Sequence, residues 1–278
     1  MKTNIDLLHE ADLEIVKKVI NICDQNNLMY YMLGGTMLGA IRHKGFIPWD
    51  DDIDLGMPRT DYEKFLCIAP DKLSKTLKII NYKTDKDYHY YITRIQDVET
   101  KVVETRYENE GKYTHVSIDI FPLDGTPDNR FLRKIYCMRL MAHRAMMSLH
   151  YKDGIDPERK RGFVEKLALG VLKLFPTDVM FNAYNQKEKI DNLLKKYDMR
   201  SSVVTGNLMG AYRMKELVPS VWFGHDAFYS FEGIRMRGIL EYDKYLTHLY
   251  GDYMQLPPVE ARKKHFRIIE IHGKKIQE

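Results

Sequence analysis

The chain has 278 residues, 44% of them hydrophobic and 29% charged, with a formal net charge of +4. Those fractions are globular and exclude collagen-like, disordered and low-complexity classes. The surplus of positive charge is small and the two signs are interleaved, so it favours anionic partners such as nucleotides, phosphorylated glycans or acidic lipid, and is too weak for a duplex nucleic-acid binder. Three isolated cysteines (Cys23, Cys67, Cys137) form no CxxC pair. A disulfide framework or thiolate zinc site is therefore not expected, and the cytoplasm is the expected compartment. The opening MKTNIDLLHEADLEIV carries acids in every apolar stretch and does not read as a signal peptide. No run of about 18 apolar residues offers a membrane span.

The elements follow in chain order. Leu8, Ala11, Ile15, Val19 and Ile22 form one apolar stripe, which predicts a helix over 5–24. The run 28–33 predicts a buried strand. Gly34-Gly35-Thr36 is a turn, followed by one or two helical turns over 37–42 and a loop over 45–49. Residues 52–56 alternate polar and apolar, as a strand does. Pro58 suits the first turn of a helix reaching about 68. Strands are expected over 77–82, 90–97 and 101–106, rich in Ile, Val, Tyr and Thr. Another spans 113–121, closed by Pro122. Helices are expected over 130–151, 158–175 and 178–197. The tail adds a strand at 202–205, a hairpin over 228–236, a helix over 240–250 and a last strand over 267–271. The pattern predicts an α/β (α+β) chain, split into a catalytic part at 1–127 and a mainly helical part at 128–278.

The densest chemical signal is Gly34-Gly35-Thr36 followed by Asp50-Asp51-Asp52-Ile53-Asp54. On a strand, residues i and i+2 share a face, so Asp52 and Asp54 stand side by side while Ile53 and Leu55 turn to the core. Two such carboxylates repel unless a cation lies between them, and hard oxygens select Mg²⁺ or Mn²⁺. Asp50 has the same parity and can join them. A glycine pair lets backbone N–H groups approach an anion, and Thr36 adds a hydroxyl. Strand, GG[ST] turn, short helix and Asp-x-Asp strand is the plan of a nucleotidyltransferase-type site. Asp119, between Ile118 and Ile120, supplies a third carboxylate facing away from the core. A calcium loop is disfavoured, because its sixth position is Leu55 and its twelfth is Asp61. The glycines fit neither GxxxxGK[ST] nor GxGxxG.

The stretch from Leu33 to Gly56, LGGTMLGAIRHKGFIPWDDDIDLG, resembles the signature of the LicD family of phosphocholine transferases, related to the fukutin-type transferases. The likeness continues through SIDIFPLDG (117–125), Phe231-Glu232-Gly233, and 242–258. It implies a nucleotidyltransferase-like mixed sheet with flanking helices. It further implies that Gly34, Gly35 and Thr36 contact phosphate, and that Asp52, Asp54 and Asp119 hold the metal. Arg42 and His43 lie just past the turn; Arg42 is either a phosphoryl clamp or a helix-end cap on carbonyls. Trp49 and Pro48 shape the loop before the acids. Glu232 is either a site acid or an ordinary hairpin acid.

The resemblance implies CDP-choline as donor, a hydroxyl of a cell-surface glycan precursor (teichoic acid, capsule or lipopolysaccharide type) as acceptor, and CMP as product. Alternatives are transfer of glycerol phosphate or ribitol phosphate, and a non-catalytic choline or glycan binder. A nucleic-acid nucleotidyltransferase is disfavoured by the lack of a basic stripe with stacking aromatics. A quaternary ammonium favours aromatic faces, and Tyr88, Tyr90, Tyr91, Tyr107, Trp222, Phe228 and Tyr229 are the candidates. The basic, Met-rich stretch 130–151 and the apolar stretch 163–175 could lie on an anionic bilayer, giving peripheral contact at the inner face of the plasma membrane, or could pack on the sheet.

Overall fold

Thr3 starts the first helix. Its hydroxyl accepts the Asp6 N–H, and the Asp6 carboxylate accepts the Thr3 N–H in return, a reciprocal cap that satisfies two otherwise unpaired donors. Helix α1 (Asn4–Gln25) then buries Leu8, Ile15, Val16, Val19 and Ile22. A computed structural model describes residues 2–104, 113–150, 182–262, 266–271 and 273–276. The expected helix at 158–175, the start of that at 178–197 and Tyr107 lie outside them.

After α1 come β1 (Tyr31–Met32), α2 (Gly34–Arg42), β2 (Asp54–Pro58), α3 (Arg59–Lys72), β3 (Leu77–Ile80), β4 (Thr93–Glu104) and β5 (Thr114–Gly125). The second half gives α4 (Arg130–His150), α5 (Ala183–Leu194), β6 (Val204–Gly206), β7 (Val218–Pro219), β8 (Phe228–Phe231), β9 (Ile234–Arg237), α6 (Tyr242–Tyr250), β10 (Phe266–Ile271) and β11 (Lys274–Lys275). Among the described residues one mixed sheet runs β1-β2-β5-β4-β10-β11. Strand β3 shares the β4 edge with β10, and β6 and β7 extend β5. Among the described strands only β2 and β5 run parallel; the other pairs are antiparallel. Strands β8 and β9 form the expected hairpin.

Several expected boundaries move. Of the run 28–33 only Tyr31 and Met32 pair, because the Met29 N–H is taken by the Asp61 carboxylate. Helix α2 begins at the glycine turn itself, with the Met37 N–H on the Leu33 carbonyl. Pro58 ends β2 and caps α3 rather than lying inside it. The strands expected at 90–97 and 101–106 are one strand with a shift in register between Asp97 and Lys101. There the Asp97 carboxylate gathers the Glu99 N–H and the Thr100 hydroxyl, holding a bulge. Strand β5 passes through Pro122, since β2 and then β6 continue to pair with it.

Helices α1 and α3 touch each other and pack on the central strands. Val116, Ile118 and Ile120 of β5 meet Ile53, Leu55, Ile95 and the α1 stripe in the main core. Helices α4 and α5 join through a second cluster built on Tyr136, Leu140, Ile190 and Leu194, with Tyr82 and Tyr91. Buried Arg59 locks this layer to the sheet. It donates to both oxygens of Asp124, at 2.8 and 2.6 Å, and to Asp191 at 3.0 Å.

Candidate active site

The alternation read in the sequence holds. Ile53 and Leu55 are fully buried, while Asp52 and Asp54 are half-buried on the other side. The Asp119 N–H bonds the Ile53 carbonyl at 2.9 Å, and Asp54 lies directly opposite Asp119 across the parallel β2–β5 pair. Strand β2 begins at Asp54, so Asp52 sits one pleat before it.

The glycine turn is tied to these acids. The Leu33 N–H bonds the Asp54 carbonyl at 3.0 Å. Gly34 takes a left-handed conformation, φ +48°, which suits a residue without Cβ. A Cβ built there would lie 3.6 Å from an Asp54 carboxylate oxygen and 3.5 Å from the Tyr250 hydroxyl. At Gly35 it would overlap the Asp50 carboxylate, so Asp50 also borders the bend. The Gly34 N–H itself donates to the buried Tyr245 hydroxyl at 3.1 Å. Thr36 is buried, and its hydroxyl accepts the Asp54 N–H at 2.8 Å. Rather than reaching outward to an anion, Thr36 pins the bend to the acid strand.

Strand β4 adds a residue that the sequence reading missed. Arg94 pairs with Asp119 in register, and its Nε donates to the Asp119 carboxylate at 2.8 Å. Its guanidinium also covers the Tyr90 ring at 4.6 Å. The period-2 position of Arg94 was its signal: it shares parity with Gln96, on the face opposite Ile95. Asp12 was also missed. It falls within the buried stripe, four residues after Leu8 and three before Ile15. Its carboxyl is 1% exposed and neither oxygen has a hydrogen-bond partner among the described residues. It lines a small cavity of about 30 Å³ with Asp51, Asp52, Asp119, Arg94 and His115.

Crowding of like charges shapes the electrostatics. Burial pushes the Asp54 carboxyl well above its ordinary range, and Asp52 and Asp119 add to the shift. Burial raises Asp119 too, with Arg94 pulling the other way. Asp12 is raised by burial and then by Asp52, Asp51 and Asp119. Glu216, buried near this group, is pushed up to about 7 by burial. Among the described residues no three His, Cys, Asp or Glu side chains are arranged as a finished metal cage. The donor set nevertheless fits a hard divalent ion, because Asp52 and Asp54 offer carboxylate oxygens whose mutual repulsion such an ion would relieve.

Arg42, His43 and Glu232 do not meet the acids through any of these contacts. Arg42 does neither of the two things expected of it: it donates to the carbonyls of Tyr253 (2.7 Å) and Gln255 (3.5 Å), which belong to the loop after α6 and not to a helix end. His43 packs edge-on against Trp49. Glu232, at the tip of the β8–β9 hairpin, accepts the Phe46 N–H at 3.0 Å and gives its own N–H to the Lys44 carbonyl; it staples the loop before the acids. Of the aromatic candidates, Tyr88 and Tyr90 stand beside Arg94 and Asp119. Tyr91 belongs to the buried Arg59–Asp191 network, Phe228 lies under Arg235 and Arg237, Trp222 meets His248 and Tyr229 meets Tyr242. A groove of about 570 Å³ between α3 and the end of α5 holds none of these acids.

The model of the LicD/FKTN/FKRP nucleotidyltransferase domain matches residues 27–168, which contain the bend and all three aspartates. The lipopolysaccharide cholinephosphotransferase LicD of Haemophilus influenzae is 30% identical over 250 residues, 88% of this chain and 89% of that protein. The ribitol 5-phosphate transferase FKRP of Homo sapiens, like that of Mus musculus, is 41% identical over 44 residues, 16% of this chain and 9% of theirs. The family model covers just over half of the chain, and the Haemophilus relative matches it almost end to end. The chain therefore belongs to the LicD/FKTN/FKRP nucleotidyltransferase-domain family.

Proposed function

We propose that the protein is a metal-dependent phosphotransferase that moves phosphocholine from CDP-choline to a hydroxyl of a cell-surface glycan precursor, releasing CMP. The observation that carries this reading is the placement of Asp54 opposite Asp119, on adjoining strands, against the Gly34 bend. The Haemophilus cholinephosphotransferase supports the transferred group.

Asp52 and Asp54 would hold Mg²⁺ or Mn²⁺, with Asp119 as a third ligand or as proton acceptor. When bound, the ion neutralises the diphosphate and stabilises the leaving group. The absence of a Cβ at Gly34 would leave room for the donor beside Asp54 and the Tyr250 hydroxyl. The acceptor oxygen attacks the phosphorus bearing choline. A new P–O bond forms there, the bond to the CMP phosphate breaks, CMP departs with the electron pair, and the acceptor proton passes to a base. Arg94 holds the Asp119 carboxylate in position. Tyr88 and Tyr90 are the ring candidates for the choline end.

A second reading, transfer of ribitol phosphate from a CDP donor, is favoured by the FKRP match. Incubating the protein with CDP-choline, CDP-ribitol or CDP-glycerol, Mg²⁺ and candidate glycans separates the two. CMP release with CDP-choline alone supports the first; no turnover with any CDP-alcohol refutes both.

No helix among the described residues is long and apolar enough to cross a membrane. A cytoplasmic protein touching the inner leaflet is part of the proposal. Helix α4 exposes Phe131, Leu132 and Met138 among Arg130, Lys134 and Arg139, a mixture suited to anionic lipid. Flotation with anionic liposomes at low salt tests it, and absence of binding refutes it.

A further inference from the structure

The loop 81–92 joins β3 to β4 and carries Tyr88 and Tyr90. Its first half folds on itself. The Asn81 side-chain oxygen accepts the Lys83 and Thr84 N–H groups, at 2.9 and 3.1 Å, and the Asp85 carboxylate accepts the Asp87 N–H at 2.9 Å. Its second half brings rings to the acid row. Tyr88 meets Tyr90 edge-on at 5.6 Å, the Arg94 guanidinium covers Tyr90 at 4.6 Å, and the Arg94 Nε donates to Asp119.

Helix α5 fastens this loop from the helical half of the chain. Asp191, which also binds Arg59, accepts the Lys83 Nζ at 3.0 Å and the Tyr91 hydroxyl at 2.6 Å. One turn earlier, the Lys187 Nζ donates to the Tyr88 carbonyl, inside the ring-bearing half. Lys187 is out of place by packing rules. The buried stripe of α5 reads Ala183, Lys187, Ile190, Leu194, and an apolar side chain such as Leu or Met is what such a stripe ordinarily holds. Lys187 is 0% exposed, whereas lysine is almost never fully buried. Burial strips the ammonium of hydration and pushes its pKa down to about 8. An ammonium kept in a core stripe against that cost, and directed at the backbone of the ring-bearing loop, has a task that packing does not explain.

We propose that Lys187 is a positioning residue for the alcohol end of the donor: by holding the Tyr88 carbonyl it sets the Tyr88 and Tyr90 rings against Arg94 and Asp119. Lys187 acts through the loop and not on the reacting atoms. The proposal rests on the CDP-alcohol reading and deepens it by naming what fixes the ring candidates in place.

Lys187→Met keeps the length of the side chain and completes the apolar stripe, and circular dichroism verifies its fold. The donor in the assay is CDP-choline or CDP-ribitol, whichever the parent turns over. The variant should raise the donor KM about tenfold and change kcat less than about threefold, while the Ki of CMP, which lacks the alcohol, stays that of the parent. A merely structural defect gives another pattern: a smaller active fraction lowers kcat and leaves KM intact. Hydrogen exchange supplies a readout without turnover. Backbone amides of 83–91 should exchange faster in Lys187→Met, while those of β5 exchange as in the parent. Asp85→Asn is a second variant that spares the core, because Asp85 is exposed and its charge faces Lys187; it should raise the donor KM about threefold. If Lys187→Met does not fold, Asp85→Asn decides. If the parent turns over a CDP-alcohol and both variants keep its KM, the inference fails and the donor reading stands. The same holds if the CMP Ki rises as much as the KM, or if exchange at 83–91 is unchanged in Lys187→Met. If the parent turns over no CDP-alcohol, both fail.

Discussion

Asp12→Leu should stabilise the protein while altering its acid site. The wild-type carboxyl is buried among Leu8, Val116 and Phe266, with no hydrogen-bond partner for either oxygen and with Asp52 and Asp119 nearby. An unsatisfied buried polar group costs about 1–3 kcal/mol, and burying leucine returns about 1.5–3 kcal/mol. Fitting the larger side chain costs about 1–3 kcal/mol, eased by the 30 Å³ cavity at its tip. The net is a gain of about 2 kcal/mol, or roughly 4–8 °C in Tm for a chain of this size. The advantage should shrink on acidification. The folded-state pKa of Asp12 is raised, so wild type gains stability as pH falls toward the ordinary carboxyl value. Differential scanning calorimetry in EDTA at pH 8 and pH 5 reads both effects. A lower Tm for Asp12→Leu at pH 8 would refute the reasoning, since it would mean that the carboxyl makes a stabilising contact.

Two further outcomes follow from the same electrostatics. Arg94→Ala removes the cation from Asp119 and leaves a buried charge unpaired; a loss of about 3–5 kcal/mol is expected, measured by urea unfolding, and Arg94→Ala/Asp119→Asn should recover part of it. Glu216, at about 7 in the folded protein against an ordinary 4.5, contributes stability that is present below pH 4.5 and lost as pH rises through 7. Glu216→Gln should flatten that part of the pH–Tm curve, and an unchanged slope between pH 5 and 8 would contradict the assignment.

The acid strand was readable because period-2 alternation leaves little freedom: with Ile53, Leu55, Ile118 and Ile120 committed to the core, Asp54 and Asp119 had one face left. The bend was readable because a glycine pair marks a place where side chains do not fit: Gly34 takes a left-handed conformation, and a Cβ on Gly35 would overlap the Asp50 carboxylate. Arg94 was harder to foresee, since its role depends on the register between β4 and β5, which no local pattern fixes. Asp12 broke the helical stripe, yet a single acid in an amphipathic helix reads as a boundary residue until the opposing sheet is known. Thr36, Arg42 and Glu232 had the right neighbourhood in sequence. Their hydrogen bonds go to the Asp54 amide, the 253–255 carbonyls and the Phe46 amide because those partners come from distant segments.

The central claim is that Asp52 and Asp54 hold a divalent ion against the donor diphosphate at the glycine bend. Titration calorimetry of Mn²⁺ into the protein, alone and with CDP, tests it most directly. The account predicts that Mn²⁺ and CDP bind with mutual enhancement, and that Asp54→Asn abolishes the enhancement while its circular dichroism spectrum stays that of wild type. Equal Mn²⁺ affinity with and without CDP, or enhancement that survives in Asp54→Asn, would contradict it.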